Sequence, residues 1–333
     1  MTTAPRVSVI MPAFNGETYI REAIASILGQ TLHDFELIVV DDGSTDSTPA
    51  ILEELAAVDR RIIVRRQANL GHNAARNHAS RLARAPFTAV LDHDDVSFPQ
   101  RLELQSSFLA AHGSIAVVGG AVELINDRGE TFATRTQSTR DSVIRQALGH
   151  MSPFVHSSVM LRSAVLEELG GYRLQFRAAS DYDLFLRIAD RHELANIPEF
   201  VVRYRVHPSM MTVHSIEEQS LYAVAARSSS RARIAGQPDP LAATDHIDRA
   251  TLRELGVSER EITEACIAMM VWLARTLRSA GYPGDDEHFA RALALARGPS
   301  GSRSLATRVW LRSTGLGRLL SRARAAREVL RRN

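Results

Sequence analysis

An α/β fold with a mostly parallel central sheet, followed by a C-terminal helical region, is predicted by three features of this 333-residue chain. Through the first hundred residues, short apolar segments alternate with amphipathic ones, the pattern of strands covered by helices on both faces. Acidic and amide residues gather just after the apolar segments. Beyond residue 214 the sequence becomes Arg-, Ala- and Leu-rich and helical, broken at Gly236-Gln237-Pro238, Gly281-Tyr282-Pro283-Gly284 and Gly298-Pro299-Ser300-Gly301.

Taken in order, Arg6–Met11 (RVSVIM) reads as a β-branched strand ended by Pro12, and Thr18–Leu28 as a helix with Tyr19, Ile20, Ala23, Ile24 and Ile27 along one side. Phe35–Val40 is a strand stopped by Asp41-Asp42-Gly43. Ser47–Val58 follows as a helix with Pro49 in its first turn, where a missing amide costs little. Ile62–Val64 is a strand, Asn73–Ala83 a helix and Phe87–Leu91 a strand ending at Asp92. The pattern then becomes mixed: a helix at Gln100–Ala111, a strand at Ile115–Val118, irregular polar sequence to about 140, and a helix at Asp141–Leu148. A strand at Ser158–Leu161, helices at Ala164–Leu169 and Asp181–Ala189, and a strand at Phe200–Val206 complete this part. The domain reading is 1–213, with a nucleotide-binding half to 100 and an acceptor half from 101, then a helical region 214–300 and an Arg-rich tail 301–333.

Composition bounds the function. With 45% hydrophobic and 23% charged residues the chain is an ordinary globular sequence, which sets aside collagen-like, disordered and coiled-coil classes. The single cysteine, Cys266, has no partner for a disulfide or thiolate metal site and reads as a buried, inert thiol. About five apolar residues near the N-terminus are too few for a signal segment, and no run approaches the ~18 of a spanning helix, so a reducing cytoplasmic location is expected. Every basic residue is arginine, which excludes lysine-based covalent chemistry. The formal charge of +2 hides an asymmetry: residues 301–333 carry nine arginines against Glu328, a net +8, while residues 1–300 hold 31 basic and 37 acidic groups, a net −6.

The strongest local signal is Leu91-Asp92-His93-Asp94-Asp95, three carboxylates in four residues behind a buried strand. Like charges packed so closely call for a neutralising cation, and a hard divalent ion with oxygen ligands, Mg²⁺ or Mn²⁺, serves a nucleotide substrate in that way. His93, between the acids, is placed with the donor contacts. Asp41-Asp42-Gly43-Ser44-Thr45-Asp46 reads both as a capped turn and as a binding edge. Capping explains Gly43, Ser44 and Asp46 but has no need of two carboxylates at a strand exit, where an acid can accept from a base imide or a ribose hydroxyl. Asn69–Asn77 brings Arg76 and a helix N-terminus to the same edge, and both favour phosphate. Open α/β sheets bind ligands at that carboxyl edge.

These residues resemble the family 2 glycosyltransferases. VSVIMPAFN (7–15), VVDDGSTD (39–46), NLGHNAARN (69–77) and VLDHDDVSFPQRLE (90–103) carry the likeness, which continues more loosely through 156–172, 180–188 and 204–212, about two thirds of the chain. The resemblance implies the GT-A fold, a Rossmann-like nucleotide-diphospho-sugar transferase domain, and inverting transfer from an activated sugar. It implies that Pro12, Ala13, Phe14 and Asn15 line the nucleotide pocket with Asp42 on the base and Asp41 beside it. It sets Arg76 near the diphosphate, Asp92 near the ribose or donor sugar, and Asp94, with Asp95, on the metal. Asp181 falls on the catalytic base position, where Ser180-Asp181 stands in place of the family's frequent Glu-Asp; Asp183 is its nearest rival. His207 matches a histidine near the metal in some members and reads equally as a strand-end residue before Pro208.

The expected partners are therefore a nucleoside-diphosphate sugar and a glycan or glycolipid acceptor, in non-processive transfer, since the Gln-x-x-Arg-Trp motif is absent. A nucleotidyltransferase is disfavoured by the lack of a basic Gly-rich loop in Pro12–Glu17, and a dehydrogenase by the lack of G-x-G-x-x-G after the first strand. The remaining alternative is a relative that binds nucleotide without turnover. In Arg318–Leu330 apolar residues share a helical face apart from the arginines, which fits contact with an anionic membrane surface and equally a packed or disordered end. Nucleic acid is not an expected partner, because the rest of the chain is acidic and no aromatics interleave the basic run.

Overall fold

A computed structural model describes residues 4–282, 285–298 and 300–301. The predicted tail helix lies outside these residues. The described residues divide into two compact units, one made of those up to Arg205 with Ser229–His246, the other of Val206–Ser228 with those from Ile247 on.

The first unit holds strands β1 (Val7–Ala13), β2 (Phe35–Asp41), β3 (Ile62–Arg66), β4 (Phe87–Val90), β5 (Val96–Ser97), β6 (Ile115–Ile125), β7 (Thr131–Arg135), β8 (Met160–Arg162) and β9 (Glu193–Arg205). Among the described residues they form one sheet in the order β3-β2-β1-β4-β8-β6-β9-β5, with β7 beside β6. From β3 through β4 every pairing is parallel; beyond β4 the sheet is mixed, with β6 and β9 parallel and β8, β7 and β5 antiparallel to their neighbours. Helices α1 (Ile20–Leu28), α2 (Thr48–Val58), α3 (His72–Leu82), α4 (Arg101–Ala111), α5 (Asp141–Leu148), α6 (Ser163–Glu168) and α7 (Ser180–Ala189) connect them. Val9, Met11, Leu37, Val39 and Ala89 pack with Ile20, Ile24, Leu52, Leu102 and Leu109 in one core. Each large side chain so buried contributes roughly 1.5–3 kcal/mol, which fixes the strand ends that carry the polar residues.

Three elements differ from the sequence reading. β1 runs through Pro12, because its pairing with β4 stops at Ile10↔Val90; beyond that point only β2 lies alongside, and the absent amide is not missed. β6 continues past Val118 through Gly119 and Gly120, which look like strand breakers. They are needed for close approach, since a Cβ on Gly120 would come within 2.7 Å of Val201 Cγ2 on β9. The stretch read as irregular is the rest of β6 and the hairpin strand β7, half-exposed and polar on its outer face.

In the second unit, α8 (Met211–His214), α9 (Ile216–Ile234), α10 (Arg249–Glu254), α11 (Glu259–Ala280) and α12 (Asp285–Arg297) follow, α9 passing into the first unit at Ser229. A Ser258/Glu261 capping box starts α11 and left-handed Gly281 ends it. Its buried stripe from Ile262 to Leu277 includes Cys266, whose thiol burial pushes upward in pKa, as an inert packed cysteine requires. Among the described residues no helix is long and apolar enough to cross a membrane.

Candidate active site

The parallel half of the sheet delivers its strand ends to one edge, and hydrogen bonds between loops set their shape. Pro12 and Ala13 are buried in β1, and Ala13 O accepts from Asp42 N at 2.8 Å. Phe14 is exposed. Asn15 adopts a left-handed backbone (φ 48°), unusual for a residue with a side chain, and exchanges bonds with the turn after β2: its N–H donates to Ser44 Oγ (2.9 Å) and its Oδ1 accepts from Thr45 N (2.9 Å). Gly16 N donates to Thr48 Oγ1, and the His93 ring packs on Gly16 so closely that an added Cβ would lie 2.5 Å from it.

Asp42 is buried and saturated by its own fold. Its Oδ1 accepts from Gln67 Nε2 (2.8 Å) and Leu70 N (2.9 Å), and Oδ2 from Gly71 N (2.8 Å), so it holds open the turn that leads into α3. Asp41 Oδ1 accepts from Ser44 N. Its Oδ2, also buried, faces the Arg66 Nε at 3.2 Å as an ion pair without the alignment of a hydrogen bond.

The turn after β4 is different. Asp92 Oδ1 accepts from Arg76 Nη2 at 2.8 Å, and the Arg76 guanidinium lies 5.7 Å from the Tyr172 ring with its Nε buried and unpartnered. Burial works against ionisation of Asp92, but Arg76 and His156 outweigh it and hold the carboxyl below the usual range. Asp95 is buried too: its Oδ1 accepts from Arg205 N (2.7 Å) while Oδ2 has no hydrogen-bond partner, and burial with the charges of Asp94 and Asp92 raises its pKa. Asp94 is half-buried, its carbonyl held by Arg205 Nε at 2.8 Å. Below them Arg101 is fully buried, donating to Val90 O and Val159 O; burial brings its pKa down to about 9, which leaves it charged at neutral pH.

Asp181 stands in the first turn of α7, after Ala179 in a left-handed conformation (φ 53°). Strain of this kind persists only where neighbours fix it, and α3 does the fixing. Asn73 Nδ2 donates to Phe176 O (2.6 Å), and its Oδ1 accepts from Ser180 Oγ (2.6 Å). Asn77 pairs with the Tyr172 backbone in both directions, at 2.7 and 2.8 Å. The helix that presents Arg76 thus also grips the loop that presents Asp181. Burial raises the Asp181 pKa, and the charges of Arg76 and Asp92 reach it. Asp183, the rival for the same role, is bound on both oxygens by Arg173 and Arg187 and is wholly buried, so its carboxylate is structural.

The structure brings Arg76, Asp92 and Asp181 into one electrostatic group, with Asp94 and Asp95 on the Asp92 turn. His207 belongs to the second unit, where its Nδ1 lies 2.8 Å from Ser209 Oγ. Sequence reading missed His72, His156, Tyr172 and Arg205. Burial, then the charge of Arg76, keeps both histidines neutral with pKa values down at about 3, and His156 Nε2 meets the Tyr172 hydroxyl at 2.8 Å. The only signal for Arg205 was an arginine inside an apolar strand two positions before His207.

A divalent ion fits the residues present. Among the described residues no three His, Cys, Asp or Glu form a ready cage. Mg²⁺, however, is commonly held by one or two carboxylates with substrate phosphates and water. Half-buried Asp94 beside the unpartnered Asp95 Oδ2 offers that donor set.

Comparison with known proteins bears on the family and the fold. The family model of glycosyl transferase family 2 matches residues 8–170. An uncharacterised glycosyltransferase of Methanocaldococcus jannaschii is 32% identical over 66% of this chain and 77% of its own. The Bacillus subtilis glycosyltransferase EpsE is 37% identical over 56% and 68%, and the Escherichia coli O-antigen biosynthesis glycosyltransferase WbnJ 31% over 60% and 80%. Among solved structures, the Pyrobaculum calidifontis mannosyltransferase PcManGT, in complex with GDP-Man and Mn²⁺, superposes with a TM-score of 0.55 at 19% identity, covering 94% of this chain and 85% of that one. Staphylococcus aureus TarS with UDP gives 0.52 at 19% identity, over 92% and 87%. These likenesses show the GT-A fold.

Proposed function

Because the chain belongs to glycosyl transferase family 2 and is a glycosyltransferase, we propose that it moves a sugar, with inversion and without processivity, from a nucleoside diphosphate to a hydroxyl of a glycan or glycolipid. The observation that carries this reading is the grouping of a half-buried carboxylate of raised pKa, Asp181, with the Arg76–Asp92 pair at the carboxyl edge of a parallel sheet. Asp181 acts as general base: it takes the acceptor hydroxyl proton as that oxygen bonds to the anomeric carbon and the bond to the diphosphate oxygen breaks. A base raised toward the working pH is well matched to that transfer.

The other residues bind. Asp41 and the turn shaped by Asp42 meet the base and ribose beside Pro12, Ala13, Phe14 and Asn15; Asp92 and His93 meet the donor sugar; Arg76 and the α3 N-terminus favour the diphosphate. Asp94, with Asp95, would hold Mn²⁺ or Mg²⁺. Bound there, the ion neutralises the charge of the departing diphosphate as a Lewis acid. PcManGT carries Mn²⁺ with its donor and WbnJ is named for O-antigen synthesis, which supports metal use and a polysaccharide product. Residues 301–333 are the proposed contact with an anionic membrane surface on the cytoplasmic side.

The test is thermal stabilisation by UDP, GDP, dTDP and CDP, with Mn²⁺ and with EDTA, in the parent and in Asp94→Ala. One nucleotide is expected to raise Tm only with metal, and Asp94→Ala to lose that rise. No shift with any nucleotide would contradict the donor reading. A shift without sugar transfer or donor hydrolysis would leave a nucleotide-binding relative.

A further inference from the structure

Ser229–His246 rejoins the first unit after the first part of α9, and the reaction proposed above makes no use of it. At its centre Asp239 is enclosed by partners. Oδ1 accepts from Ser229 Oγ (2.5 Å) and Leu241 N (2.9 Å), and Oδ2 from Nη1 of both Arg173 and Arg233, each at 2.9 Å.

Each of those arginines holds a second carboxylate, and the two lie at opposite ends of α7. Arg173 grips Asp183, in the first turn, through Nε and Nη2. Arg233 Nε binds Asp190, the residue that flanks the last turn. Arg187 completes the group, with Nε on Asp183 Oδ2 (2.9 Å) and its other nitrogens on Leu169 O and Gly171 O. Three arginines and three aspartates therefore balance, Asp183 with 1% of its side chain exposed and Asp239 with 16%. Gln175 Nε2 also donates to Leu241 O (3.1 Å), joining the same segment to the loop before Asp181.

A network of partly buried ions contributes little net stability, because desolvation offsets attraction, but it has few satisfied arrangements and so specifies one geometry. Here that geometry is the position of α7 along its own axis. The α3 clamp formed by Asn73 and Asn77 holds the loop before α7; Asp239 holds both ends of the helix itself.

The geometry points to Asp239 as a positioning residue for sugar transfer: through Arg173 and Arg233 it fixes α7, and with it the carboxylate of Asp181. This rests on Asp181 being the base. Asp239 touches no substrate and moves no proton. A displacement of about 1 Å in a reacting group costs on the order of 100-fold in rate, so a loosened α7 lowers turnover while the donor site, on other strand ends, is untouched.

The experiment uses Asp239→Asn and Arg233→Gln in the full chain, with Arg84→Gln as a control that breaks the ion pair to Glu36 at the start of β2. The expected result is a fall in kcat of about tenfold or more with donor KM within about twofold. Faster amide exchange is expected across 174–190, with none at 41–46. Parent-like kcat, or kcat and donor KM worsening together as in a control of equal Tm, would overturn the proposal. So would unchanged exchange across α7. If the parent transfers no sugar the base reading fails, and exchange across 174–190 still decides whether Asp239 braces the helix.

Discussion

Asp41 and Asp42 close β2, Asp92, Asp94 and Asp95 follow β4, and both strands flank β1 in parallel, yet the two acidic turns are built for different work. After β2, backbone amides and Gln67 saturate Asp42, so the acid there shapes a loop. After β4, one carboxylate leans on a buried arginine, another keeps an oxygen without a hydrogen-bond partner, and three carboxyl groups stand together. The same residue type at equivalent strand ends holds a loop where its oxygens are satisfied locally, as in Asp42, and keeps an oxygen without a hydrogen-bond partner where they are not, as in Asp41 beside Arg66 and in Asp95. Asp181 and Asp183 repeat the lesson within one helical turn: two arginines consume Asp183, and the proposed base is Asp181.

Breaking the β4 turn should have the larger effect. Asp92→Asn leaves Arg76 charged and buried, and removing one member of such a pair costs about 3 kcal/mol or more. Calorimetry is expected to show a Tm several degrees lower, and a variant as stable as the parent would mean that another group compensates Arg76. Asp42→Ala removes the acceptor for two backbone amides and Gln67, at about 2 kcal/mol. Nucleotide affinity is expected to fall with it, as the 67–71 turn relaxes; unchanged affinity would separate Asp42 from the donor site.

The smallest effect is on pH dependence. His72 and His156 are neutral in the fold, with pKa values near 3 against 6.5 when unfolded. The folded state therefore binds fewer protons, so this stability is complete above about pH 6.5 and is lost as pH falls toward 3, by at most about 1.4 kcal/mol per pH unit for each group. Asp92, depressed in the fold, adds to the loss below the ordinary carboxylate range. His156→Phe should flatten the slope between pH 6.5 and 5 in denaturant titrations; an unaltered slope would place the proton uptake elsewhere.

The parallel half of the fold was legible because β1, β2 and β4 are apolar runs that stop at Pro or Asp, and burial on both faces leaves that mark. β5, of two residues, carries no periodicity, and β6 was cut short at Gly119-Gly120 because a glycine required by a neighbouring strand looks like one required by a turn. In the site, the acidic clusters could be seen, being dense and at strand ends. Arg205, His156 and Tyr172 could not, since none belongs to a dense polar cluster and each meets the site only through the fold. Asp239 lies in a Gly- and Pro-rich connection where an acid normally means a solvated turn; what makes it otherwise is two arginines 66 and 6 residues away.

The most direct measurement is sugar transfer by Asp181→Asn, together with nucleotide affinity, under conditions where the parent turns over. Loss of a general base predicts a fall in kcat of about 100-fold or more, with nucleotide affinity within about twofold of the parent. Transfer at the parent rate by Asp181→Asn would contradict the assignment of Asp181 as the base on which this account depends.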